Sequence, residues 1–209
     1  MRLIAPIRRA ITNLMFERRY RLDTSHNVDL ALLDLAADER RNYIPSSWGT
    51  MSRIAQLRPI RPDDVLVDFG SGKGRMVFLA AQYPFKRVIG VEISRVLHEV
   101  ATTNIARNSA HFSCQDVRLV CEDVVTFEVP DDMTFAYFFN PFTGRTFERV
   151  IENIHRSWQA CARCITLVYT NPVMHEHLAQ QRWLEVLEHE HGRVGIYRTV
   201  RRKSLATSD

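Results

Sequence analysis

The sequence predicts an α/β fold, a three-layer sandwich in which helices cover both faces of a seven-stranded, mostly parallel sheet. Two observations predict this class. Short runs of β-branched and aromatic residues alternate with segments of helical length. The last two runs are joined by a His-Gly turn that is too short to hold a helix. The alternation indicates parallel strands, and the turn indicates an antiparallel hairpin that closes the sheet.

The individual elements follow from these patterns in chain order. Strands are predicted at 65–69, 87–92, 117–121, 134–139, 164–170, 184–189 and 194–200. Helices are predicted at 74–82, 94–109, 143–160 and 172–182. We expect Ser94 to cap the second of these helices and Pro172 to open the last.

A further helix is predicted upstream, where Tyr43 and Ser46 lead into an apolar stripe formed by Trp48, Met51, Ile54 and Ala55. Ser46 or Ser47 would cap it. Two interpretations stay open: a lid over a ligand, or a capped helix packed on the sheet.

Composition indicates one soluble domain with an extension. The 209 residues are 45% hydrophobic, without a run of about 18 apolar residues and without the apolar core of a secretory signal at the start. The four cysteines do not have the spacing of a disulfide framework. We therefore expect a cytoplasmic protein with reduced cysteines, divided into a helical extension or lid (1–58), a main domain (59–203) and a flexible tail (204–209).

The net charge of +4 is concentrated at the ends of the chain. Residues 1–21 hold six arginines and one acid, Glu17. Basic ends on a slightly acidic body do not favour a stable nucleic-acid partner. The N-terminal stretch also places four apolar residues on one helical face: Ile4, Ile7, Ile11 and Leu14. This helix could lie on an anionic membrane, dock a partner or hold an acidic substrate, but packing over the sheet or in a dimer interface is favoured. The oligomeric state stays open.

The stretch VLVDFGSGKGRMVFLAA places a glycine-rich turn after the first strand. Its glycines alternate along the chain: Gly70, Gly72 and Gly74. In open α/β sheets such a turn holds a ligand at the carboxyl ends of the strands. A dinucleotide fingerprint would need a third glycine where Arg75 stands, and a phosphate loop would need a hydroxyl residue after Lys73. What remains is G-x-G-x-G preceded by Asp68.

The segment VDFGSGKGR resembles the first motif of the class I, Rossmann-like S-adenosylmethionine-dependent methyltransferases. The resemblance implies that S-adenosylmethionine is the cofactor and that Asp68 lies beside its amino-acid end. It also implies that Glu92 accepts both ribose hydroxyls and that Asp123 accepts the adenine amino hydrogen. Tyr43 and Ser46 would be cofactor-side residues of the lid.

The segment FAYFFNPFTG resembles two acceptor motifs of this class. In amino methyltransferases with [DN]-P-P-[YFW], the Asn or Asp oxygen and the proline carbonyl orient an amine. Asn140 and Pro141 match that pattern, whereas Phe142 stands where the second proline would be. The tripeptide also resembles the Asn-Asn-Phe of non-SET lysine methyltransferases. The RRYRLDTS, GSGKGR and NPF segments together resemble small bacterial methyltransferases of unassigned substrate.

These resemblances imply N-methylation of an amine, with Asn140, Pro141 and Phe142 at the reaction centre and protein lysine favoured. The alternatives are O-methylation of a small molecule or glycan, and a non-catalytic cofactor-binding module. An aromatic channel could desolvate the amine, and its candidates are Tyr43, Tyr137, Phe138, Phe139 and Phe142. No metal is expected, because neither the Cys161 and Cys164 pair nor the His175 and His177 pair has a convincing ligand arrangement.

Overall fold

The structure, a computed structural model, describes residues 4–200. Seven strands form a single sheet in the order β3-β2-β1-β4-β5-β7-β6, in which β7 is antiparallel to β5 and to β6 and the other pairs are parallel. The strands are β1 (Val65–Phe69), β2 (Arg87–Glu92), β3 (Val117–Cys121), β4 (Phe135–Phe139), β5 (Thr166–Thr170), β6 (Leu184–Glu190) and β7 (Val194–Thr199). The predicted fold class, including the terminal hairpin, is confirmed.

Six α-helices accompany the sheet within the described residues: α1 (Ile4–Tyr20), α2 (Thr50–Leu57), α3 (Arg75–Ala81), α4 (Arg95–Asn108), α5 (Gly144–Ala160) and α6 (His175–Ala179). Short 3-10 helices occur at Leu30–Leu33 and Ser109–His111. Ser94 caps α4 as predicted, because its hydroxyl accepts a hydrogen bond from the Leu97 N–H at 3.3 Å. The last predicted helix is shorter than expected, and the expectation that Pro172 opens it is wrong. The helix begins at His175, whose N–H donates to the Pro172 carbonyl.

The predicted cap of α2 is wrong. Gly49 occupies the cap position, and the Ser46 hydroxyl instead forms a hydrogen bond with the Tyr137 hydroxyl at 2.9 Å. The apolar stripe is as expected, since Met51 and Ile54 are buried. The buried Tyr137 hydroxyl needs a partner, which explains why Ser46 is used there and not at the helix start.

Two apolar clusters cover the two faces of the sheet. One face packs α5 against the central strands around Phe138, Phe147 and Tyr169. The opposite face packs α2, α3 and α4 around residues such as Met51 and Phe78. Strand β1 is buried along its whole length, as the continuous apolar run predicts for a parallel strand covered on both sides.

Arg75, the first residue of α3, joins the N-terminal extension to the main domain. Its guanidinium is 2% exposed. It donates to the Thr24 hydroxyl at 2.7 Å, to the Ser46 carbonyl at 3.1 Å and to Glu17 at 3.3 Å, and it stacks over the Trp48 ring at 4.2 Å. The position that would need glycine in a dinucleotide-binding turn therefore holds the residue that fastens the extension.

Helix α1 packs on the domain through the polar residues Asn13 and Glu17 and through the rings of Phe16 and Tyr20, which contact Trp48 and Phe78. Asn13 accepts a hydrogen bond from the Trp48 indole at 2.8 Å, and Glu17 binds Arg75. The apolar side chains of Ile7, Ile11 and Leu14 are exposed instead. The expectation that this stripe packs over the sheet is thus wrong, because these polar and aromatic residues of the helix contact the domain instead. The side chain of Ile4 and residues 201–209, which include the predicted tail, lie outside the described part. Within residues 4–200, no helix has the length and apolarity to span a membrane.

Candidate functional site

A cleft opens at the carboxyl ends of β1, β2 and β4, where the strand order reverses between β1 and β4. It is covered by residues 30–46, called here the lid segment. Most of the predicted site residues line it: Tyr43, Ser46, Asp68, Gly70, Gly72, Glu92, Asp123, Pro141 and Phe142. Gly74 and Asn140 are the predicted site residues that lie outside this lining.

The glycine turn is shaped by close contacts that only glycine permits. Gly70 and Gly72 have φ angles of +80° and +54°. A methyl group on Gly72 would lie 2.2 Å from the Tyr43 ring, and one on Gly70 would lie 2.5 Å from Pro141 Cβ. The turn therefore touches both the lid segment and the loop after β4.

Asp68 lies at the floor of the cleft and is 3% exposed. Burial raises the pKa of its carboxyl well above the ordinary value, and the nearby Glu92 raises this pKa further. Two buried acids side by side make this end of the cleft favourable for a cation. A sulfonium ion with an ammonium group matches that requirement.

Glu92 ends β2 and holds the glycine turn in place. One carboxylate oxygen accepts the N–H of Gly72 and the other accepts the N–H of Ser94, both at 2.8 Å. Burial raises the pKa of Glu92, and the two N–H donors oppose that change. A carboxylate oxygen accepts more than one hydrogen bond, so ribose hydroxyls can bind the same group.

Asp123 follows β3 and lines the same cleft. Its Oδ1 accepts the N–H of Val125 at 2.9 Å, and its Oδ2 lies 3.8 Å from Arg40 Nη2. The adjacent Glu122 turns away to the Thr126 hydroxyl and does not line the cleft. The three acids expected from the sequence thus line one cleft.

The lid segment is joined to the loop after β4 by backbone pairing. The Arg41 N–H donates to the Pro141 carbonyl at 3.0 Å, and the Thr143 N–H donates to the Glu39 carbonyl at 2.7 Å. The Glu39 carboxylate accepts the N–H groups of Arg145 and Thr146 at 2.9 and 2.8 Å. These hydrogen bonds lower the pKa of Glu39. The helix α5 therefore receives its N-terminal cap from the lid segment, since Thr143 itself supplies no side-chain cap.

Tyr43 and Ser46 anchor the far end of the lid segment. The Tyr43 ring lies against Gly72, and its hydroxyl donates to the Thr24 carbonyl at 2.9 Å. Burial raises the pKa of Tyr43, and it raises the pKa of Tyr137, the partner of Ser46, to about 12. Both hydroxyls therefore remain protonated hydrogen-bond donors at neutral pH.

The loop after β4 presents Phe139, Pro141 and Phe142 to the cleft. Asn140 has a φ angle of +41°, and its side-chain oxygen accepts a hydrogen bond from the Tyr169 hydroxyl at 3.4 Å. Phe138 is fully buried and stacks on Phe69 with ring centroids 5.0 Å apart. Its expected place in an aromatic channel is therefore wrong, because alternate residues of the strand face opposite sides.

Sequence reasoning missed the charged residues of the lid segment. Arg40 and Arg41 line the cleft, and Glu39 fixes them there. The run ADERR has the composition of a solvated surface segment, and no periodicity in it indicated these contacts. Among residues 4–200, no group of three or more His, Cys, Asp or Glu side chains has an arrangement that could hold a metal ion.

A sheet in this order, with a glycine turn and a cleft at its strand ends, has the Rossmann-like fold of the class I S-adenosylmethionine-dependent methyltransferases. Residues 66–160 match the family described as a methyltransferase domain. The chain therefore contains a methyltransferase domain of this class, whose cofactor is S-adenosylmethionine.

Three similar proteins illustrate the relationship. A protein-lysine N-methyltransferase of Saccharolobus islandicus (strain REY15A) is 31% identical over 67 residues, which cover 32% of this chain and 42% of that protein. The chain thus spans about two-fifths of the length of this curated relative.

The other two are solved structures. The RNA methyltransferase from Salinibacter ruber, in complex with S-adenosylhomocysteine, superposes with a TM-score of 0.52 at 18% identity, over 79% of this chain and 99% of that one. An rRNA methylase from Streptococcus thermophilus superposes with a TM-score of 0.51 at 11% identity, over 75% and 97% of the two chains. At these identities the likeness shows the fold alone.

Proposed function

We propose that this protein is an enzyme that transfers the methyl group of S-adenosylmethionine to an amine, and that the amine is a lysine side chain of a protein. The observation that carries the proposal is the direct contact between the cofactor turn and the acceptor loop. Gly70 touches Pro141, and Asp68 and Phe142 line the same cleft. A sulfonium methyl bound by the turn would therefore lie next to that loop.

The reaction is an in-line displacement at the methyl carbon. The amine lone pair forms the new C–N bond while the C–S bond breaks, and the electron pair of that bond stays on sulfur as a neutral thioether. The methylated ammonium then releases a proton. The sulfonium is already an activated donor, so the protein contributes proximity and orientation.

The acceptor must arrive as a neutral amine, because an ammonium has no lone pair. Phe139, Phe142 and Tyr137 give the cleft an apolar wall, and an apolar environment lowers the pKa of a lysine ammonium. In this proposal Asn140 Oδ1 gives up its long hydrogen bond with the Tyr169 hydroxyl and accepts a hydrogen of the amine instead. The Pro141 carbonyl accepts another through its second lone pair, since Arg41 uses the first.

The lysine preference is supported by the resemblance of the acceptor loop to lysine methyltransferases and by the match to a protein-lysine N-methyltransferase over part of the chain. A second acceptor class, an amine of an RNA base, is supported by a different observation. Arg40 and Arg41 line the cleft, and guanidinium groups bind phosphates.

Two measurements test the cofactor. Calorimetric titration with S-adenosylmethionine and S-adenosylhomocysteine, with NAD as the control, should show micromolar binding of the first two only. The Asp68→Ala, Glu92→Ala double variant should lose it. A folded wild-type protein that binds neither compound contradicts the assignment.

The acceptor is tested with S-adenosylmethionine labelled in the methyl group. Incubation with unmethylated protein and RNA fractions should place label in protein, as methyl-lysine after hydrolysis. Label in RNA would select the second acceptor class. Label in a small molecule or glycan as an O-methyl group would overturn the amine proposal. Cofactor binding without transfer of label to any fraction would indicate a non-catalytic binding module.

Asn140→Ala tests the amine-orienting role against a matched control. Asn171 follows β5 with a φ angle of +52°, close to the +41° of Asn140, and it lies outside the acceptor loop. Both alanine variants carry similar backbone strain. We expect Asn140→Ala to lose most turnover with unchanged cofactor binding, and Asn171→Ala to retain turnover. Equal losses in the two variants would contradict the proposed role.

A further inference from the structure

Helix α1 leaves exposed a set of aliphatic residues that a surface helix ordinarily buries against its domain. Asn13 and Glu17 face the domain and bind Trp48 and Arg75. Four apolar residues at the spacing i, i+4, i+7 and i+8 face outward, and each exposes more than half of its surface: Ile7 (58%), Ile11 (54%), Leu14 (52%) and Met15 (65%). We call these four residues the outer stripe. Packing within the domain does not account for it.

The charge around the outer stripe is positive and lacks an acid. Arg18 and Arg19 are exposed at the end of the helix, and Arg8 and Arg9 follow Ile7 in its sequence. The single acid of residues 1–21, Glu17, is turned inward to Arg75. An apolar ridge with the exposed Arg18 and Arg19 at its end is complementary to a surface that is apolar inside and anionic outside.

From this complementarity we propose that α1 docks the protein on an anionic lipid surface, with the outer stripe inserted at the boundary between headgroups and acyl chains and the arginines on the headgroups. A membrane-surface helix needs only one such stripe with basic flanks. A stable protein interface buries about 800 Å² on each partner, which is more than four half-exposed side chains on a convex helix offer. The proposal is independent of the acceptor identity.

The test is co-sedimentation of the full chain with vesicles. We expect binding to an equimolar mixture of phosphatidylcholine and phosphatidylglycerol, no binding to phosphatidylcholine alone, and weaker binding at high salt because arginine attraction is screened. The Ile11→Glu, Met15→Glu variant should bind these vesicles about tenfold or more weakly. It removes two inserted apolar side chains, and its two negative charges are repelled by the anionic headgroups.

The control is the Val96→Glu, Val186→Glu variant, which makes the same charge change at exposed apolar residues of α4 and β6. It should lose much less affinity. Unchanged S-adenosylmethionine binding and unfolding temperature would show that the α1 variant is folded.

Three outcomes would overturn the proposal. One is a wild-type protein that ignores anionic vesicles. Another is equal vesicle binding by the wild type and the α1 variant, which would assign the attraction to other basic residues. The third is a concentration-dependent dimer in sedimentation velocity that the α1 variant abolishes, which would make a second copy the occupant of the stripe.

Discussion

Glu39 and Thr146 lie 107 positions apart, yet the Glu39 carboxylate accepts both the N–H of Thr146 at 2.8 Å and its hydroxyl at 2.7 Å. The helix α5 is thereby capped by the lid segment, and the same helix follows directly on the acceptor loop. The position of the lid, the start of α5 and the loop at Pro141 are therefore set by one group of contacts. The lid segment, which covers the cleft, and the acceptor loop should therefore move together.

Glu39→Gln tests this coupling, because it preserves the shape of the side chain and removes its charge. We expect several-fold faster amide exchange at Arg41, whose N–H is bonded to Pro141, and a several-fold higher KM for S-adenosylmethionine. Glu152→Gln, at an exposed position further along the same helix, is the control. Equal exchange rates at Arg41 in both variants would show that the lid is held by other contacts.

The same carboxylate makes lid closure depend on pH. The pKa of Glu39 is lowered in the folded protein, so its contribution to stability is complete above the ordinary value of 4.5 and disappears as the pH falls through the lowered pKa. Amide exchange at Arg41, corrected for its intrinsic pH dependence, should therefore accelerate in acid in the wild type. Glu39→Gln should show no such transition.

Asp68 should titrate when the cofactor binds. Its pKa is raised in the free protein, and a sulfonium and an ammonium favour the ionised carboxyl. Binding should therefore release a proton, and affinity should rise with pH up to the raised pKa. Calorimetry in buffers of different ionisation enthalpy measures the release. Asp68→Asn should weaken cofactor binding about tenfold or more and should abolish the proton release that comes from Asp68. If the variant still releases the same number of protons, the protons come from the ligand and not from Asp68.

Asp64 and Asp68 should respond oppositely to replacement by asparagine. The raised pKa of Asp68 means that the free energy of unfolding falls as the pH rises above its ordinary value, so Asp68→Asn should raise Tm at neutral pH. The pKa of Asp64 is lowered by Arg58, which binds both its oxygens at 2.8 Å. Asp64→Asn should therefore lower Tm. For a chain of this length each kcal/mol corresponds to about 2–4 °C, and equal signs for the two variants would contradict this interpretation.

Gly72→Ala separates steric contact from backbone strain. The added methyl would meet the Tyr43 ring at 2.2 Å, whereas a methyl on Gly192, which has a similar φ of +67°, would have nothing within 4 Å. Both alanines cost about 1–2 kcal/mol for the left-handed conformation. Only Gly72→Ala should also displace the lid and weaken S-adenosylmethionine binding, by about tenfold or more. If Gly72→Ala binds S-adenosylmethionine as strongly as Gly192→Ala does, the Tyr43 ring moves aside without weakening the site.

The central strands were predictable because β1, β2, β4 and β5 are short apolar runs that are buried in the sheet. The outer strand β6 is mostly exposed and was predictable from the short turn that joins it to β7. The acids of the cleft were predictable because Asp68, Glu92 and Asp123 follow three successive strands, whose carboxyl ends meet at one edge. The lid contacts were not predictable, because the cap of α5 comes from Glu39, which is far away in the sequence. The direction of α1 was missed for a related reason: its Glu17 binds a buried arginine from another part of the chain.

That arginine has a consequence for how the chain can be divided. A fragment beginning at residue 59 would retain Arg75 but lack Glu17, Thr24 and the Ser46 carbonyl, which bind its guanidinium. The same fragment would lack Met51 and Ile54, which pack in the apolar cluster around Phe78, so their removal would expose that part of the core to water. The boundary that composition suggests near residue 58 is therefore not a boundary of cooperative unfolding. The extension and the methyltransferase domain should melt in one transition, and excision of either should leave a product prone to aggregation.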